Sequence, residues 1–192
     1  MLAVSVAGFL EYQRSEAWTW EHMAMCRARP IYGRADSKTA LAEQIRSILT
    51  RTGDPAKVRR DSAEMRAEMT RHKPPSGPLD IKLGPGGLVD LEFAVHTLQL
   101  THGLGLEPRL EYAIAELAEA GLIDMDFDAD LRLLTRMLVV MRLVAPDGNE
   151  PPERSRSLVA SLCGRPDWDG LLAAHDAARQ RIGELWRTVR EG

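Results

Sequence analysis

The stretch that most constrains this chain is Leu79 to Phe93, L-D-I-K-L-G-P-G-G-L-V-D-L-E-F. Ile81 and Leu83 alternate with Asp80 and Lys82, which predicts a short extended segment. Gly84-Pro85-Gly86-Gly87 must then turn, because glycine alone enters positive φ without a steric penalty. A helix has to begin at once: from Leu88 the apolar residues fall at Leu88, Leu91, Val95 and Leu98, the spacing of one helix face. Such a junction gathers unpaired amide N–H groups and a partial positive charge in one place, with Lys82 just before it. It is either a cradle for phosphate or carboxylate, or a structural turn in which Asp90 complements the helix dipole. Neither the P-loop pattern nor the dinucleotide fingerprint occurs in the chain.

Elsewhere the apolar residues keep helical spacing between Gly and Pro breaks. Ser5 caps a predicted helix through Phe9 and Tyr12 to Met25, after a brief alternation of Leu2, Val4 and Val6 with small residues. The opening starts in mid-pattern, as a boundary inside a longer protein would. Ser15 and Glu16 begin, and Arg27 and Arg29 end, a helix whose Glu16, Trp20, Met23 and Arg27 share one edge. That edge is either a core-facing Trp/Met stripe or a place where two arginines receive a phosphate or a partner's carboxylate.

Asp36 or Ser37 caps the next predicted helix, with Leu41, Ile45, Ile48 and Leu49 buried, and Asp54-Pro55 starts a highly charged one running to about His72. Only Val58, Met65 and Met69 form its apolar seam, which predicts a peripheral helix or one awaiting a partner. Pro108 opens a further helix with Leu110, Ile114 and Leu117 buried. Asp130 to Val144, the most apolar segment, is expected to be the central core helix, and the last helix carries Leu171, His175, Ala178, Ile182, Leu185 and Val189. The expectation is one all-α domain over 1–192, a bundle of about eight helices with an internal boundary near 103–108.

Chemistry is sparse outside the glycine turn. Asp124, Asp126 and Asp128 suggest a magnesium-holding pair, but they immediately precede a helix and are read as caps and first-turn anions. Glu92 and His96 stand four apart with Gln99 beyond, without a third strong metal ligand at the right spacing, so no metal site and no catalytic residue is assigned. His175, on an apolar face, reads as a hydrogen-bonded core histidine. Cys26 and Cys163 read as buried apolar residues without a redox role. The net charge of -3 carries no basic stripe, which argues against nucleic acid, and no run of about 18 apolar residues is present to span a membrane.

Phe9 to Gln13 with E-A-W-T-W-E-H-M-A-M-C-R-A-R-P-I-Y-G, then M-R-A-E-M, K-P-P, D-I-K-L-G-P-G-G-L-V-D-L-E-F and H-T-L-Q-L, resembles the helical domain in the C-terminal half of glutamine synthetase adenylyltransferases. The resemblance runs from Leu2 to about Gly103, and W-T-W-E-H is similar to the adenylylating half. It implies a cytoplasmic enzyme that moves AMP from ATP, with Mg2+, to a tyrosine of glutamine synthetase under control of a PII-type signal protein and glutamine. It also implies an upstream nucleotidyltransferase domain holding the Gly-Ser and acidic motifs missing here, so the fragment alone is expected to be inactive. On that reading Lys82 and Gly84, Gly86 and Gly87 face the nucleotide cleft. Asp90 and Glu92 fix the turn or touch the nucleotide, and Arg27 and Arg29 are further cleft-facing cations. The alternative is a non-catalytic helical scaffold that docks glutamine synthetase or the PII-type protein.

Overall fold

A computed structural model describes residues 4–51 and 53–192; Leu2, at the head of the expected alternation, lies outside them. The described residues form nine helices: α1 Val6–Ser15, α2 Thr19–Met25, α3 Ala35–Leu49, α4 Pro55–His72, α5 Leu88–His102, α6 Leu110–Glu119, α7 Asp126–Val144, α8 Glu153–Leu162 and α9 Trp168–Glu191. No strand occurs among them. The all-α expectation holds, and most of the elements sit where Gly, Pro and helical periodicity put them.

Five particulars differ. The expected helix from Ser5 to Met25 divides into α1 and α2. Ser5 does cap α1 through a bond from the Gly8 amide to its hydroxyl, at 3.1 Å. Ser15, however, turns its hydroxyl back to the Glu11 carbonyl, 2.8 Å, and α2 starts where the Trp18 amide donates to the Glu21 carboxylate, 2.9 Å. Hydroxyl back-bonding of this kind favours chain reversal over a new cap. At α3 the cap position is Arg34, and Asp36 stands in the first turn.

The central helix is α5, not α7. Twelve of its fifteen residues are buried, because L-V-D-L-E-F-A-V-H-T-L-Q-L is apolar nearly all round and its few polar members are short or internally bonded. α5 lies against α2, α4, α6, α7 and α9. Phe93 meets Trp186 of α9 edge to face, with centroids 5.8 Å apart. α7 buries Leu133, Leu134, Met137 and Met141 but leaves Val139 and Leu143 in solvent, which makes it an outer layer.

Nor is α4 peripheral. It packs on α2, α5 and α9 through Val58, Ser62 and Arg66, spaced four apart, so one buried contact stripe includes an arginine that reads as surface in the sequence. Finally, residues 79–83 are turns rather than an extended segment. The cause is Asp80, whose carboxylate organises the local backbone. On α9 the expected seam is present, with Leu171, His175, Ala178, Ile182 and Val189 buried together with Trp168 and Trp186.

Candidate functional site

Asp80 holds the first half of the turn. One of its carboxylate oxygens accepts from the amides of Lys82 and Leu83 at 3.0 and 2.9 Å, and the other from the amide and hydroxyl of Ser76 at 2.9 and 3.0 Å. Partial burial pulls its pKa upward, but these four donors outweigh that and hold it below the usual carboxylate range. The charge cluster that reads as strand alternation is an Asx-type turn.

The second half is held from inside. Asp90 accepts from the Gly86 amide at 2.6 Å and from Arg66 Nε at 2.6 Å, and both charged side chains are more than nine-tenths buried. Arg66 also donates to the Leu83 carbonyl at 3.3 Å and to the Thr70 hydroxyl. From the other side Arg179 of α9 donates through Nε to the Pro85 carbonyl, 2.7 Å, and through Nη1 to that of Pro78, 3.4 Å. Three elements far apart in sequence thus converge on one loop.

This arrangement corrects the expected amide cradle. The Gly84 amide bonds to the Asp80 carbonyl (3.0 Å), Gly87 to Gly84 (2.9 Å), Leu88 to Ile81 (3.0 Å) and Val89 to Lys82 (3.1 Å). Pro85 has no N–H, and Gly86 is taken by Asp90. Gly84, Gly86 and Gly87 are buried, and their missing side chains serve close packing. A Cβ on Gly86, whose φ is +72, would stand 2.1 Å from the Arg179 carbonyl oxygen. The amides of Gly84 and of Gly86 to Val89 are used within the chain and are not offered to an anion.

The exposed groups remain. Lys82 projects into solvent from the framed turn, and its ammonium has no partner among the described residues. Arg27, in the turn just after α2, pairs with Glu92 at 3.5 Å. Asp90 and Glu92, two apart on α5, point to different sides, so Asp90 seals the turn while Glu92 meets α2. Arg29 is exposed in the segment after α2. No hydrogen bond or ion pair joins Lys82 to either arginine.

The tryptophans do not form the core stripe. Trp18 is 71% and Trp20 51% exposed, and only Met23 of that edge is buried. With Thr19, Lys57, Asp61, Glu64, Met65 and Glu68 they line an open groove of about 650 Å³ along α4. Asp126 and Asp128 occupy the first turn of α7, where Asp128 pairs with Arg132 at 2.8 Å. Asp130, one turn on, is buried and takes a two-pronged contact from Arg181, at 3.0 and 2.5 Å.

Among the histidines, His96 is buried, with Nδ1 at 2.7 Å from the Gln99 side-chain oxygen and Nε2 without a hydrogen bond. Burial, reinforced by nearby Arg27, lowers its pKa to about 4. A folded pKa below the free value of about 6.5 means the folded state binds fewer protons. The stability that neutral His96 confers is complete above about pH 6.5 and is lost as pH falls toward 4. Urea midpoints should therefore drop across that window by an amount equivalent to up to about 3 kcal/mol, and His96→Asn should flatten the drop. An unchanged acid limb in the variant would contradict this. His175 is buried too, but neither ring nitrogen makes a hydrogen bond among the described residues; Nδ1 lies 3.5 Å from the Asp176 carboxylate. Cys26 and Cys163 are buried and unlinked, and burial pushes the Cys26 thiol up to about 12, far from a reactive thiolate.

The roles of Arg66, Asp80 and Arg179 in closing this turn are not legible in the sequence, although Arg66 and Asp80 lie in the family motifs. The one available hint was that Arg66 continues the Val58, Ser62 spacing.

A family model described as glutamate-ammonia ligase adenylyltransferase matches residues 1–44, and one described as GlnD PII-uridylyltransferase matches 56–189, so the two meet at the α3–α4 junction. The bifunctional glutamine synthetase adenylyltransferase/adenylyl-removing enzyme of Rhizobium meliloti is 36% identical over 201 residues, covering 100% of this chain and 20% of that protein. The protein of the same name from Bradyrhizobium diazoefficiens is 31% identical over 202 residues with the same two coverages. That from Agrobacterium fabrum is 38% identical over 175 residues, 86% of this chain and 18% of the relative. The chain spans about a fifth of the length of these curated relatives. An all-helical chain matched from end to end by such proteins belongs to the glutamine synthetase adenylyltransferase family.

Proposed function

We propose that this chain is the helical part of a cytoplasmic enzyme that transfers AMP from ATP to a tyrosine of glutamine synthetase and reverses the transfer by phosphorolysis. The observation that carries the reading is the family match along the whole chain, whose relatives are named for both directions of that reaction. ATP and Mg2+ are served in the main by a nucleotidyltransferase domain elsewhere in the longer protein, since the described residues contain no cluster of acidic, Cys or His side chains able to hold a metal. A PII-type signal protein is the proposed regulator. No described helix is long and apolar enough to cross a membrane.

Within that enzyme the contribution of this chain is electrostatic. Charge on a polyphosphate is best met by cations that need no reorganisation when it arrives. Lys82, carried on a loop locked by Asp80, Arg66–Asp90 and Arg179, satisfies that demand, with Arg27 and Arg29 as further cations and Glu92 steering Arg27. The glycines act behind Lys82 as packing elements, and Asp90 acts as the clamp.

The test is Lys82→Ala in the full-length enzyme, with AMP incorporation into glutamine synthetase as the readout. Transfer should fall at least about tenfold with the fold intact. Undiminished transfer would favour a scaffold that docks glutamine synthetase or the regulator, a reading for which the exposed Trp18, Trp20, Ile31 and Tyr32 supply the specific observation.

A further inference from the structure

Between the Ser76–Leu83 turn and the C-terminal end of α7 lies a small notch of about 180 Å³, lined by Ser76, Asp80, Lys82, Leu138, Arg142 and Pro146 among others. Two cations reach it from elements sixty residues apart. Lys82 comes from the turn and Arg142 from the last turn of α7, both are exposed, and neither side chain has a hydrogen bond or ion pair among the described residues. Arg66, Arg132, Arg179 and Arg181 each pair with a carboxylate or a carbonyl, whereas Lys82 and Arg142 share one recess with no such partner. The acidic neighbours do not occupy them. Asp80 spends its carboxylate on four donors within the turn, and Asp147 turns its own to Asn149, whose amide nitrogen lies 2.9 Å away.

We infer that Lys82 and Arg142 form an oxyanion subsite that receives one phosphate group, the terminal group of a polyphosphate or a free phosphate. This rests on the proposed reading that Lys82 serves a phosphate-bearing ligand, and it adds a second residue and the size of the group bound. The two side chains divide the task by chemistry. Arg142 supplies a planar fork for two oxygens, and Lys82 supplies a mobile point charge for a third. The recess is smaller than the roughly 300–1,000 Å³ of pockets that enclose drug-sized ligands, so a nucleoside cannot enter and only the phosphate end is held.

The experiment is titration calorimetry of the 192-residue chain at low ionic strength with pyrophosphate, and with phosphate, ATP and adenosine as separate arms. Pyrophosphate should bind with a dissociation constant on the order of 1 mM or tighter and weaken as salt rises, since the cations are solvent-facing. Lys82→Ala and Arg142→Ala should each weaken binding at least fivefold, while Arg190→Ala leaves it unchanged. Both target residues are exposed and unpaired, so their thermal midpoints should match the parent, and a charge-retaining Arg142→Lys should recover part of the loss. ATP binding no tighter than pyrophosphate points to the phosphate group as the whole epitope; tighter ATP binding points to a nucleotide source. Absence of pyrophosphate binding, binding indifferent to both alanine variants, or binding of adenosine alone overturns the inference. Arg142→Ala losing pyrophosphate while the full-length Lys82→Ala enzyme transfers AMP at the parental rate would keep the subsite and overturn the cleft reading instead.

Discussion

Gly86→Ala should be among the most destabilising single methyl additions possible in this protein, by about 3–5 kcal/mol in urea or guanidinium unfolding. Two independent effects add. The residue sits at φ +72, a conformation that carries a penalty of roughly 1–2 kcal/mol for a residue with a Cβ. The new methyl would also lie 2.1 Å from the Arg179 carbonyl oxygen, 2.7 Å from its carbon and 2.9 Å from its Cα. These are backbone atoms in the middle of a 24-residue helix, so no rotamer change can clear them. Relief requires α9 to withdraw from the turn, which opens the α5–α9 contact and adds the loss of Arg179's bond to Pro85. A Cβ added to Gly183 of α9 would lie 3.9 Å from Gly86 Cα, which places the turn directly against this face of the helix. A measured change below about 1 kcal/mol would show that the turn does not pack on α9 as described.

Asp90→Ala should destabilise by a comparable amount, about 3–5 kcal/mol, through a different mechanism. It strands the buried Arg66 guanidinium without its carboxylate and leaves the Gly86 amide without an acceptor. The paired replacement Arg66→Met with Asp90→Leu should recover most of that loss, because the larger share is the penalty of an unpaired buried charge and not the net worth of the pair. It should not recover all of it, since the Gly86 amide stays unsatisfied. The loss on Asp90→Ala should persist at 1 M salt, where an exposed pair such as Arg27–Glu92 is screened. Equal damage from the single and double variants would mean that the pair contributes something other than charge compensation.

Both variants target residues that the sequence marks as special for a different reason. G-P-G-G before an apolar helix reads as an anion cradle because N–H groups at a helix start are unpaired by default. Whether they stay unpaired depends on what lies opposite. Here the opposite groups are the carbonyls of Asp80, Ile81, Lys82 and Gly84 and the Asp90 carboxylate, so the donors are used up. The same dependence explains α4. K-V-R-R-D-S-A-E-M-R looks like a solvated face because charge counts as exposed in any pattern analysis, yet an arginine whose partner waits on α5 can be buried. The edge of Trp20 and Met23 departs in the other direction: one of its two readings is a core stripe, but Trp20 is 51% exposed and no element among the described residues covers it.

Most helix positions, the all-helical class, the break at Gly84 to Gly87, the α9 seam and the family motifs follow from the sequence by itself, because periodicity, capping and backbone freedom act between residues a few positions apart. Only the tertiary structure decides that α5 is the centre, that Arg66 and Arg179 reach across 24 and 94 residues to close the turn, and that Lys82 and Arg142 flank one recess. Burial and pairing of a charge are properties of two surfaces that meet, and a chain read one residue after another holds no record of which surfaces those are.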